Sequence, residues 1–190
     1  MAKISKKASS WLLALARQSI EYFLETKNFL PFEKLKIPPE IKEEVIAIRA
    51  GFVLLEMQGN EHRKPYVHGV NGLFEAVEPL GKLITQLAVN AAFFDPSTPR
   101  LKPYELNELI IHVFLPRKRK RVVVESDIKI GEGILLEVRG RMAFELPILI
   151  NTTESVEHRL RRFRLKLGVS RKSAEKDIKY YTFGGQHLSD

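Results

Sequence analysis

Few side chains in this sequence pair reactivity with surroundings that could admit a substrate. His68 lies in Val67-His68-Gly69-Val70-Asn71-Gly72, where Gly69 and Gly72 would let the backbone approach a ligand. His68 could then act as acid, base or anion donor, with Gly69, Asn71 and Gly72 as ligand-binding positions. Asp95 could orient His68 or bind a ligand at a helix end. Each also has a purely structural explanation. A G-x-x-G spacing fits a tight hairpin end, and an Asp before Pro forms turns without any ligand. The segment is not a phosphate loop, because Gly81-Lys82 lacks the required upstream glycine spacing. A metal site would need His68, Asp95, His112 and His62 to converge, with no H-x-x-x-H spacing to suggest it. No metal and no cofactor are expected.

A second chemistry is electrostatic. Arg117, Lys118, Arg119, Lys120 and Arg121 form a dense basic run between two β-like segments. Arg159, Arg161, Arg162, Arg164 and Lys166 interleave with Leu160, Phe163, Leu165 and Leu167 on an expected helix. If both face one side, they form a stripe able to contact phosphates of a nucleic acid or another polyanion. A solvated face is the alternative, and no recognisable DNA- or RNA-binding motif is present.

The elements that must position these groups follow from periodicity. Leu80, Leu83, Ile84, Leu87, Ala88, Ala91 and Ala92 share one helical face, and Asp95-Pro96 stops that helix. Pro99 and Pro103 should keep the next linker extended, and Leu106–Val113 should form a central strand. Upstream, Ser9 or Ser10 should cap a first helix running to about Lys27, preceded by solvated Lys6 and Lys7. Leu12, Ala16, Ile20 and Phe23 form its buried face. Glu40–Ile48 is a short helix or a turn. Ala50–Met57 and Tyr66–Gly72 read as a hairpin. Downstream, Val122–Val124 resumes β character, and Gly133–Val138 with Met142–Leu146 makes another hairpin around Arg139-Gly140-Arg141. Thr152 or Thr153 should cap a helix over 154–167 with Val156, Leu160, Phe163 and Leu167 as its stripe. Tyr180–Phe183 is a last short strand, and the polar tail after Gly184-Gly185 should fray. Irregular alternation with several hairpins predicts an α+β fold, mostly antiparallel sheet packed with helices.

Composition sets outer limits. A chain of 190 residues can bury a core and suits one domain. It has no cysteine, which excludes disulfides, thiolate metal sites and cysteine nucleophiles. No apolar run approaches the roughly 18 residues of a membrane span. Basic residues precede the apolar run Trp11–Ala16, but that run is too short and Arg17 interrupts it, so no signal peptide is expected. The expected setting is cytoplasmic, as monomer or homodimer. A net charge of +8 favours anionic partners without dictating one.

With these residues in view, most of the chain resembles the AMMECR-type domain family. The family's N-A-A-F-x-D-P appears as Asn90-Ala91-Ala92-Phe93-Phe94-Asp95-Pro96, and its L-x-P-x-E-L as Leu101-Lys102-Pro103-Tyr104-Glu105-Leu106. Its G-x-F-V strand is similar to Ala50-Gly51-Phe52-Val53. Its G-L-I-I and L-L-P runs look like Gly133-Ile134-Leu135-Leu136 and Glu145-Leu146-Pro147. The signature L-R-G-C-I-G falls on residues 67–72, where only Gly69 and Gly72 survive: His68 replaces the arginine and Val70 the cysteine. Ser97 and Ile148 stand where the family usually has arginine and glutamine. The resemblance implies a larger and a smaller lobe, and links to MEMO-type and radical-enzyme partners; it brings no established reaction. A retained scaffold with an altered signature suggests a non-catalytic binding or accessory protein, engaging a protein partner or a polyanion. The alternative is a small-molecule enzyme with a cleft near His68 and Asp95.

Overall fold

In the computed structural model, residues 3–59, 61, 63–122, 127–129, 131–149, 154–169 and 178–190 are described. The fold is α+β, with two four-stranded antiparallel sheets packed with helices. The chain divides into two compact units. Unit 1 comprises Met1–Pro116 and Gln186–Asp190, and unit 2 comprises Arg117–Gly185.

Unit 1 begins with α1 (Lys6–Thr26). Its cap is Ser5, whose hydroxyl accepts from the Ala8 N–H at 3.2 Å. The expected caps Ser9 and Ser10 lie inside the helix, where their hydroxyls donate back to the Ser5 and Lys6 carbonyls. Lys6 and Lys7 therefore belong to the first turn. After the short α2 (Lys42–Ile46) come β1 (Gly51–Met57) and β2 (Tyr66–Leu73), an antiparallel hairpin. The helix α3 (Leu80–Phe93) then crosses the sheet and ends where Asp95-Pro96 was expected to stop it. Pro103 opens a 3-10 turn over Pro103–Glu108 instead of extending the linker. The Lys102 N–H donates to Glu105 at 2.8 Å and closes that turn. The strand that follows, β3 (Leu109–Pro116), is accordingly shifted by three residues.

Alternation builds the core. Val53, Leu55 and Met57 of β1 and Leu109, Ile111, Val113 and Leu115 of β3 meet Leu12, Ala16 and Ile20 of α1 and Leu83, Ile84 and Leu87 of α3. The sheet order is β2-β1-β3-β8. Its last member, β8 (Gly185–Ser189), is the tail expected to fray. Four ties hold it. Leu188 is buried in the unit 1 core. Gln186 exchanges hydrogen bonds with the Ile4 backbone. The Ile111 N–H donates to Asp190 at 2.7 Å, and Arg17 pairs with Asp190 at 2.5 Å.

Unit 2 contains the second sheet, in the order β4-β7-β5-β6. Its strands are β4 (Lys120–Val122), β5 (Gly133–Val138), β6 (Arg141–Glu145) and β7 (Ile178–Phe183). Arg139 (φ 49°) and Gly140 (φ 77°) make a two-residue hairpin turn with both residues left-handed. The helix α4 (Val156–Lys166) is capped by Ser155, whose hydroxyl accepts from the His158 N–H. Thr152 and Thr153, like Val123 and Val124, lie outside the described residues. Leu160, Phe163 and Leu167 pack on Val122, Ile134, Leu136, Ala143 and Tyr180, while Leu165 points away.

Candidate functional site

The glycine corner is built by a β-bulge. Along β1, Leu55 faces Gly69 and Glu56 faces Val67, so His68 is the extra residue of β2. His68 is 1% exposed, and neither ring nitrogen has a hydrogen-bond partner among the described residues. Asp95 is half-buried and occupied otherwise. Its Oδ2 accepts from the Val70 N–H at 2.9 Å, and its Oδ1 from the Ser97 N–H and hydroxyl at 2.9 and 2.5 Å. No hydrogen bond joins Asp95 to His68, which corrects the expected orienting role. Neither residue lines the cavities of about 340, 610 and 260 Å³ in unit 1.

Gly69 and Gly72 also have a different use. A methyl group on Gly69 would lie 2.0 Å from the Ala91 carbonyl oxygen, so the α3 backbone rests directly on β2 there. On Gly72 it would lie 2.1 Å from the Phe52 ring. Their open faces are filled by protein, which corrects the expectation that they admit a ligand. Asn71 is half-buried and pairs in register with Val53. The Ala88, Ala91 and Ala92 face of α3 is what allows this close approach.

The basic elements both belong to unit 2, and the strand geometry divides them. Val122 and Tyr180 face α4. Arg121 is paired in register with Tyr181, on the opposite side of the pleat, and the Arg119 guanidinium lies 5.5 Å from that ring. Lys120, paired with Thr182, projects on the α4 side. One stripe shared by run and helix is therefore not formed. On α4 itself, Arg159 is 1% exposed and pairs with Glu145 at 2.6 Å. It cannot contact a partner, because it sits on the apolar stripe between Val156 and Phe163. Arg162 bridges Glu145 and Glu154 at 3.2 and 2.8 Å, and Arg164 donates to the Tyr180 hydroxyl at 2.7 Å. Arg117, Lys118, Lys120, Arg121, Arg161 and Lys166 remain exposed, with no side-chain partner among the described residues.

The charge is segregated between the units. Unit 2 holds 17 of the chain's 31 Lys and Arg and 9 of its 23 Asp and Glu; unit 1 holds 14 of each. The net +8 therefore resides in unit 2.

One polar cluster escaped the sequence reading. Glu56 on β1, His112 on β3 and His187 on β8 form a chain across unit 1's sheet: His112 Nε2 lies 3.1 Å from Glu56, and Nδ1 lies 2.9 Å from His187 Nε2. Burial, then the neighbouring His112, lowers the pKa of His187. The visible signal was the polar position in each otherwise apolar strand; the missing one was β8. Among the described residues no three such side chains converge to hold a metal. His62 lies outside them.

The AMMECR1 family model matches residues 13–188. The chain belongs to the AMMECR1 family. A Thermotoga maritima relative is 30% identical over 162 residues, which are 83% of this chain and 88% of that protein. A Sulfolobus acidocaldarius relative is 32% identical over 133 residues, 66% of this chain and 55% of that protein. The match thus spans little more than half of the Sulfolobus protein, and 70% of a Methanothermobacter thermautotrophicus relative that is 30% identical. The crystal structure of the uncharacterized protein PH0010 from Pyrococcus horikoshii superposes with a TM-score of 0.83 at 22% identity, covering 100% of this chain and 94% of that one. This AMMECR1 member shares its fold with that protein across the full chain. No helix among the described residues is long and apolar enough to cross a membrane.

Proposed function

We propose that this AMMECR1-family chain is a non-catalytic binding or accessory protein that engages a polyanion, with nucleic acid as the leading case, through unit 2. A cytoplasmic setting accords with that partner. The observation that carries the reading is the confinement of the net +8 to unit 2, with six exposed cations that have no side-chain partner among the described residues. Contacts of this kind displace condensed counterions from phosphates, so they give affinity with little sequence preference. Because Lys120 and Arg121 project from opposite faces of an edge strand, the cations of residues 117–121 border the β4 edge instead of paving one surface, while Arg161 and Lys166 project from α4.

A salt titration of duplex DNA and of RNA tests this. Six phosphate contacts would give a slope of log affinity against log salt of about −5 on duplex DNA. Neutralising Arg117, Lys118 and Arg121 together to Gln should reduce that slope by about 2 to 3. Neutralising Arg161 and Lys166 should reduce it by less than 2. Binding that is absent, or equally tight in the triple variant, would discard the proposal in favour of a protein partner.

A further inference from the structure

We infer that unit 1 carries a separate binding recess for a small apolar carboxylate. The recess is the 610 Å³ cavity, within the range of small-molecule sites. Its apolar side is aromatic. Phe23 at the end of α1 lies 4.8 Å from Phe93 and 5.7 Å from Phe94, ring centre to ring centre. Phe94 is 52% exposed, unusual for a ring beside such a core. Its charged side is wholly cationic: Lys27, Arg100 and Lys102 line it, with no carboxylate among the lining residues.

The cations differ in availability. Lys27 donates to the Leu24 carbonyl at 2.9 Å and so answers a free carbonyl at the end of α1. Lys102 lies 5.7 Å from the Tyr104 ring centre. Arg100 is exposed and has no side-chain partner among the described residues. The C-terminal ends of α1 and α3 carry negative partial charge and repel an anion placed against them. The acid group therefore belongs on the loop side, paired with Arg100 and close to Lys102, while the apolar body lies against Phe23, Phe93 and Phe94. A guanidinium matches a carboxylate with two parallel hydrogen bonds, which favours this headgroup. The recess is built wholly from unit 1 residues and is independent of the polyanion surface.

The full chain would be titrated with the fluorescent anion 1-anilinonaphthalene-8-sulfonate, beside its neutral analogue N-phenyl-1-naphthylamine. The anion should bind more tightly, and 4-phenylbutyrate should displace it while 4-phenylbutyramide does not. Arg100→Glu should weaken the anion roughly tenfold and leave the neutral dye unchanged. Phe94→Ala should weaken both. Both side chains are exposed, and circular dichroism would verify that each variant is folded. Equal affinity for the two dyes, anion binding indifferent to Arg100→Glu, displacement by the amide, or no binding of the anion would each overturn the inference.

Discussion

Gly69 and Arg159 show how the environment of a single residue can reverse its apparent role. Gly69 has the look of a ligand-approach glycine, but the approaching backbone is that of α3. We expect Gly69→Ala to cost about 2 to 3 kcal/mol, read as a lower urea midpoint, because the carbonyl 2.0 Å away belongs to a helix that must shift. A loss below about 0.5 kcal/mol would mean that the two elements separate easily. Arg159 has the look of one surface cation among five. It lies three residues after Val156 and four before Phe163, so its place on the buried stripe was readable from spacing. Arg159→Met removes the main partner of Glu145 and should cost about 3 kcal/mol; adding Glu145→Leu should recover much of it. A double variant no better than the single one would show that packing, not the stranded carboxylate, sets the cost. What spacing could not reveal at this scale is the bulge at His68. An extra residue in β2 obeys no periodicity, and its burial depends on the exact register with β1, which alternation alone does not fix.

Elements were legible where the pattern is local. The hairpins, α3 and the apolar stripe of α4 all follow from alternation, three- and four-residue steps and turn chemistry. Starts of helices were less so, since Ser5, Ser9 and Ser10 are chemically equal candidates and only the conformation of Ser5 makes it the cap. The basic run teaches a related point: once Lys120 and Arg121 enter a strand, pleating must part them. The strand β8 was invisible because its partners are not local, and a polar pentapeptide has little β signature. Its junction with β3 carries a pH dependence. The folded pKa of His187 lies below the ordinary 6.5, so the unfolded chain binds more protons as acidity rises. Stability is therefore retained above about pH 6.5 and falls as pH drops through the folded value. His187→Gln should flatten the decline in denaturation midpoint between about pH 7 and 5. An unchanged decline would assign it to other groups.

At the scale of the whole molecule, two units divide the work of structure and charge. Unit 1 is electrically balanced and holds the larger apolar core; unit 2 carries the excess positive charge. Net charge was readable in the sequence, but its partition was not, because the boundary at Arg117 and Gly185 is a property of the fold. Removing Gln186–Asp190 should lower the stability of unit 1 by at least about 2 kcal/mol through Leu188 alone, with further loss from the Arg17 and Gln186 ties. Hydrogen exchange along β3 would report it, and unaltered protection of the Ile111 amide would contradict the tie to Asp190.

The position of β8 also bears on the order in which this protein can be completed. A chain made from its N-terminus folds segments as they emerge. Here α1, α3 and three strands of the first sheet are available early, yet their sheet waits for a strand encoded only after all of Arg117–Gly185. Until then β3 presents a bare edge, with the Ile111 amide and carbonyl open to any passing strand. Nascent unit 1 is thus a template for mispairing throughout the synthesis of unit 2, and fast closure of unit 2 shortens that interval by bringing Gly184 beside Arg117 and delivering β8 to its place.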